Sequence, residues 1–235
     1  TVGLPSIAHP VDIEGNVSGD DPLTAVDADG NGLFAFEHAA SLNGGSSIKN
    51  LKLMNAGGVG LSLDGTPYIV DKLWIGLNQA GTAAAGSGGN GIVVQNTVDA
   101  TPLPLNDLQD LLTALGIDSF GELFTAFGSN PLALVGALNG LLGQDNLIAI
   151  TNSVISGNDD AGIRIAGGSD GMGNDTLTAG VIVSGNHIGT NAAGTDAVPN
   201  GTGTSGDGSG VLIEQKAALN FVIGNVIAAN EGDGV

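Results

Sequence analysis

The sequence predicts an all-β fold, a right-handed parallel β-helix (β-solenoid) of about seven coils with a small α-helical insertion. Three observations predict it: short runs of alternating Val, Ile and Leu, glycine or asparagine between those runs, and a shared frame that repeats along the chain. Strands this short cannot fold alone. Stacked in register, they form parallel sheets around a continuous aliphatic interior.

The repeat reads SIKNLKLMNAGGVGLSL at 47–63, AITNSVISGNDDAGIRI at 149–165 and FVIGNVIAANEGDGV at 221–235. Two further units, YIVDKLWIG at 68–76 and VIVSGNHIG at 181–189, carry swollen loops before the pattern resumes at GIVV (91–94) and GVLI (210–213). From the last aliphatic before the loop to the first after it, the step is 6 at Leu53–Val59 and 8 at Ile155–Ile163 and Ile227–Val235. It widens to 17 at Ile75–Ile92 and 23 at Ile188–Val211. The swollen loops match each other, IGLNQAGTAAA (75–85) against IGTNAAGTDAV (188–198), at seven of eleven positions. The compact unit of about 21 residues, Asn50 to Asp71, has room for three short strands and three corners. Crossover connections between parallel strands wind right-handed. Seven coils at about 4.8 Å each would stand roughly 34 Å tall. Gly and Asn suit the corners because they accept positive φ at low cost, and stacked asparagines can bond along the axis.

The phrases LPSIAHPVDIEG (4–15), NSVISGNDDAGIRI (152–165) and GNHIGTNAAGTDAVPNG (185–201) resemble the right-handed parallel β-helix (pectin-lyase-like) repeats of large secreted or surface bacterial proteins. The resemblance covers roughly 1–96 and 148–235. It implies the fold and leaves the function open, because that fold carries lyases, hydrolases, epimerases, adhesins and structural stalks.

Residues 101–146 break the pattern, with Leu105, Leu108, Leu112 and Leu115 at helical spacing ahead of Gly116. Ser119 and Glu122 have capping-box spacing before Phe120, Leu123, Phe124 and Phe127. Asn130 and Pro131 open a third helix that ends at Gly143. The expected organisation is therefore coils over 1–100, a helical insertion over 101–146 and continuous coils over 147–235. Phe120, Phe124 and Phe127 suit either packing on the solenoid flank or an apolar contact with a partner.

Twenty-four Asp and Glu against five Lys and Arg give a net charge of −19, and cysteine is absent. Phosphate recognition needs clustered cations, so nucleic acid and anionic membranes are poor partners. No disulfide framework can form, and no apolar run is long enough to span a bilayer. An extracellular or cell-surface bacterial location fits this composition. The start at Thr1 and the stop inside the repeat suggest a processed product or a fragment.

The strongest local motif is DADGNG at 27–32, where Asp27, Asp29, Asn31 and Gly32 match the opening of a calcium loop. The twelfth position is His38 instead of the bidentate acid, with Glu37 one place early, and Asp20 and Asp21 lie nearby. An acidic turn explains the same residues; a calcium site is the alternative there, and calcium is the one cofactor the sequence suggests. Asp159, Asp160 and Arg164 are the catalytic candidates, since paired carboxylates serve glycoside hydrolysis. Sister corners read NAGG and NEGDG, so a turn also explains that pair.

Lys49, Lys52, Lys72, Arg164 and Lys216 are all the cations available to a uronate lyase, and Lys52 and Lys72 are expected to stack as a small patch. Tyr68, Lys72 and Trp74 form a candidate glycan or partner contact, with loop anchoring as the competing role. His9, His38 and His187 are isolated, which disfavours zinc; His187 is expected to face outward. Asn78, Gly81 and Thr82 correspond to Asn191, Gly194 and Thr195, either an internal loop scaffold or a binding ledge. The sequence thus favours a non-enzymatic structural or adhesive solenoid, homo-oligomeric or part of a larger chain. A polysaccharide-active enzyme or a glycan-binding module is the alternative.

Overall fold

A computed structural model describes residues 7, 11–19, 21–31, 34–38, 45–65, 67–95, 122, 148–169, 175–176, 178–203, 206–214, 216–218 and 220–235. These are almost wholly β, in three parallel sheets that the chain visits in strict rotation. The first sheet stacks Asp12–Glu14, Ser46–Lys49, Tyr68–Asp71, Ile148–Thr151, Val181–Ser184 and Phe221–Ile223. The second stacks Thr24–Asp27, Leu51–Met54, Trp74–Ile75, Val154–Ile155, His187–Ile188 and Val226–Ile227. The third stacks Phe34–His38, Leu61–Gly65, Ile92–Gln95, Ile163–Ala166 and Val211–Ile213. One strand from each sheet makes a rung, and successive rungs lie on one another.

Register places like residues in columns. In the first sheet Ile13, Ile48, Val70, Ile150, Val183 and Val222 are successive partners. In the second, Val26, Leu53, Ile75, Ile155, Ile188 and Ile227 are. Leu63, Val94, Ile165 and Ile213 line up in the third. The central members of each column are fully buried in one core. Like branched side chains stack on one another rung after rung, so one aliphatic set fills the interior without a new packing solution at each level. This is why so few large residues suffice.

Corners are set by backbone sign. Asn50, Lys72 and Asn152, then Gly185 and Gly224, hold positive φ at the turn from the first sheet to the second. Their amides continue the ladder, Asn50 N donating to Asp71 O, Lys72 N to Thr151 O and Asn152 N to Ser184 O. Lys72 therefore shares its column with Asn50 and Asn152, while Lys52 pairs with Trp74. The expected stack of Lys52 on Lys72 does not form, because Lys72 is itself the left-handed corner residue.

Five complete rungs and two strands of a sixth stand among the described residues where about seven are expected. Residues 12–38 make only one, because Val17–Ser18 and Asp21–Pro22 pair as an antiparallel hairpin at its corner. The 101–146 segment follows the third rung and lies outside the described residues apart from Glu122. Among the described residues no helix is long and apolar enough to cross a membrane.

Candidate functional site

Two corners carry polar ladders made of asparagine. Leu73 N donates to Ser153 Oγ (3.0 Å), Ser153 N to Asn186 Oδ1 (2.9 Å) and Asn186 N to Asn225 Oδ1 (2.9 Å). At the next corner Ser87 N donates to Asn158 Oδ1 (3.1 Å), Asn158 N to Asn200 Oδ1 (3.2 Å) and Asn200 N to Asn230 Oδ1 (3.4 Å). Side-chain amides join in, with Asn158 Nδ2 donating to Asn200 Oδ1 (2.9 Å) and Asn200 Nδ2 to Asn230 Oδ1 (2.8 Å). Asn158, Asn186 and Asn200 are fully buried. A buried amide is tolerated only when both its ends are bonded, and the rung repeat supplies those partners.

The two swollen loops roof the outer face of the second sheet. Asn78 Oδ1 accepts from Thr82 N (3.0 Å) and Asn191 Oδ1 from Thr195 N (2.9 Å), so each loop closes on the same asparagine scaffold. Ala192 N donates to Gly81 O (2.9 Å), which joins the two loops across the compact rung between them. Beneath them Trp74, Leu77, Val154 and Val198 form a second small apolar cluster, with Ala192 packed against it. Lys52 lies under the same roof, its Nζ 4.0 Å from the Trp74 ring centre and donating to Gln79 O (2.6 Å). Burial pushes its ammonium below the usual lysine range, and the carboxylate of Asp21 opposes that shift.

Trp74 and Lys52 are thus loop anchors on the outer face of the second sheet. Tyr68 is 0% exposed and donates its hydroxyl to Asp64 O (2.7 Å), so it presents no surface to a ligand. His187 is only half-exposed; its Nδ1 is buried beneath the second loop without a hydrogen-bond partner. It stands on the outer face of the second sheet in register with Val154, as expected, but Gly194 crosses directly over its ring.

Residues 27–31 of the DADGNG corner bond to one another and to Asn55 of the next rung. Asp27 Oδ1 accepts from Asp29 N and from Asn55 Nδ2 (both 3.0 Å), which holds its carboxyl below the usual range, Asn55 being the larger cause. Asn31 Nδ2 donates to Ala28 O (2.8 Å) and Asp29 O (3.4 Å), turning its amide nitrogen toward the carbonyls a cation would use. Among the described residues no group of three or more His, Cys, Asp or Glu is placed to hold a metal ion.

Asp159 and Asp160 occupy the compact corner of the fourth rung, where their amides donate to Ser87 O (2.9 Å) and Gly89 O (3.2 Å). Arg164, on the third sheet, pairs instead with Glu214: Nε and Nη2 both lie 2.5 Å from Oε2. Arg164, Ala166, Gly167 and Glu214 line a cleft of about 200 Å³. Among the described residues its lining has one carboxylate, already bound by the arginine, and does not include the acid pair. Glu214 is the residue that sequence reading missed, since no spacing rule links positions fifty residues apart. Phe120, Phe124 and Phe127 lie outside the described residues. Compared with protein-family models, curated proteins and solved structures, the chain matches none.

Proposed function

We propose that the chain is a non-enzymatic structural and adhesive segment of an extracellular, cell-surface fibre or stalk. In this reading it is a right-handed parallel β-helix of the pectin-lyase-like kind whose rungs stack end to end. One observation carries it: core columns and corner ladders repeat in register up to the last described rung. A charge of −19 would keep the assembly soluble and make its association sensitive to salt and to calcium at the acidic corner around Asp27.

Electron microscopy of the purified chain, with calcium and then with chelator at matched ionic strength, tests the proposal. Filaments that dissolve in chelator support stacking and the metal together; filaments in both conditions support stacking alone. Discrete particles throughout would overturn assembly by this chain. A glycan panel addresses the other reading, for which the Arg164–Glu214 cleft is the place to look. Product release there would indicate a polysaccharide-active enzyme, and saturable binding without product a glycan-binding module.

A further inference from the structure

The sequence carries three Asn-x-Ser/Thr triplets, at Asn16, Asn174 and Asn200, the pattern that accepts an asparagine-linked glycan where it is exposed. Asn174 lies outside the described residues. Asn200 is fully buried and bonded to both neighbouring rungs, so no enzyme reaches it in the folded chain. Asn16, Val17 and Ser18 differ from it in being exposed at every position.

The fold places this triplet on an addition to the first rung. Lys49 and Leu51 are separated by one corner residue, Asn50, whereas their partners Glu14 and Thr24 are separated by residues 15–23. Those residues form the Val17–Ser18 and Asp21–Pro22 hairpin, turned at Gly19 with φ +65. Of its apolar side chains only Pro22 is buried; Val17 is 42% and Leu23 54% exposed, so burial does not account for the extra length. At Asn16 the backbone N–H donates to Thr24 Oγ1 (3.0 Å) and the carbonyl accepts from Leu23 N (2.7 Å), which fixes the hairpin stem. Among the described residues the Asn16 carboxamide has no hydrogen-bond partner, unlike the corner asparagines of the ladders. Glu14, two residues earlier, is exposed, with Oε1 accepting from Asn50 Nδ2 (3.2 Å). The other two triplets have Met172 and Val198 at that place.

We propose that Asn16 is the acceptor of an asparagine-linked glycan, added to the folded chain by an oligosaccharyltransferase that also reads the acid at Glu14. The donor is an oligosaccharide linked to a polyprenyl pyrophosphate. Asn16 Nδ2 bonds to C1 of the first sugar and loses one proton, while the C1–O bond breaks and the lipid pyrophosphate leaves with its electron pair. The Ser18 hydroxyl and the Glu14 carboxylate are the recognition groups, the carboxylate through a charge-assisted contact with a cation of the enzyme. The inference rests on the extracellular part of the proposed function, where such transfer belongs, and not on filament formation.

In the test, the purified chain is incubated with a bacterial oligosaccharyltransferase and its lipid-linked donor, and the product is read by intact mass and peptide mapping. One glycan per chain, on Asn16, is expected. Asn16→Gln should abolish it, and Ser18→Ala and Glu14→Gln should each slow transfer by about tenfold or more. Amide hydrogen exchange at Asn186 and Asn200 reports that each chain is folded, and a synthetic peptide of residues 12–20 reports whether the enzyme reads the bare sequence. A peptide that is not modified overturns the proposal, as does a folded chain left unmodified beside a modified peptide. A glycan on Asn200 overturns selection of Asn16 by the fold, and undiminished transfer to Glu14→Gln overturns the role given to the acid. Filaments absent from electron micrographs would remove the fibre reading without altering the transfer result.

Discussion

The ring of Trp74 lies directly under Gly81: a Cβ at position 81 would come within 2.6 Å of Trp74 Cζ3 and 2.8 Å of Ala192 Cβ. Gly81 also has φ +71, and Gly194, at φ +70, crosses His187 in the same way two rungs later. The shared glycine of the two swollen loops thus reflects a shared roof over a flat ring on the second sheet. Gly81→Ala should destabilise the chain by about 1–3 kcal/mol through both strain and overlap. Thermal unfolding of Gly81→Ala, alone and combined with Trp74→Ala, separates the two causes. If overlap dominates, the double variant loses less than the sum of the single losses; strict additivity would leave backbone strain alone.

Asn200 should be the costliest single asparagine to remove. It is fully buried and serves Asn158 N and Nδ2, Ile155 O and Asn230 Oδ1 together. Asn200→Ala leaves several of these unsatisfied, an expected loss of about 2–4 kcal/mol. Asn230→Ala, at the end of the same ladder, should cost about half that or less. Urea denaturation of the two variants checks the order, and a larger loss at 230 would mean the ladder is not cooperative.

Much of the architecture was legible because the stacked parallel sheets repeat short-range information. Aliphatics with period two define each strand, and the columns follow once strands stack. Even the difference between compact and swollen corners has a local mark. Gly76 and Gly189 turn left-handed directly after Ile75 and Ile188, whereas Asn55, Gly157 and Ala229 do so one residue later. What sequence did not show depends on contacts between rungs. The roof over Trp74 exists only because a compact rung lets the loop at Gly81 reach Ala192. Arg164 finds Glu214 because the third sheet brings distant residues into neighbouring rungs. Lys72 was misplaced by corner phase: a shift of two positions moves a lysine from an outward strand position to the left-handed turn. The backbone amides of Asp159 and Asp160 join the ladder to the preceding rung, a link between rungs that their spacing alone did not show.

The Arg164–Glu214 pair should matter little to stability. Its side chains are 35% and 38% exposed, so water screens much of the attraction. Glu214→Gln should cost less than about 1 kcal/mol, and the loss should shrink further in high salt. Chemical denaturation at low and high ionic strength measures this. A salt-independent loss above about 2 kcal/mol would make the pair a structural element of the third sheet instead.

Lys52 should give the chain a rising stability limb in alkali. Its folded pKa is lowered chiefly by burial, so the unfolded chain holds the proton more tightly. The cost of the buried charge is fully present below the lowered folded pKa. It is relieved as pH climbs from there toward the ordinary lysine value of about 10.4. Lys52→Met should flatten that rise relative to the native chain. Parallel curves for the two chains between pH 8 and about 10.5 would show that the Trp74 roof does not desolvate the ammonium.

Asp27 works in the opposite sense at the acidic end. Its folded pKa is lowered by the amides of Asn55 and Asp29, so the carboxylate contributes stability above the unfolded value of about 3.9. That contribution is lost as pH falls through the folded pKa. Asp27→Asn keeps a side-chain oxygen at the corner but removes the charge that strengthens both bonds. The native chain should therefore be more stable than Asp27→Asn at pH 6, and the two should converge as pH is lowered toward about 2. Unfolding midpoints across that range decide the matter, and a gap that does not close with pH would mean the carboxylate's charge plays no part. Repeating the series with calcium adds a second readout: a cation held at the DADGNG corner would widen the gap at pH 6, whereas a corner closed by its own hydrogen bonds would leave it unchanged.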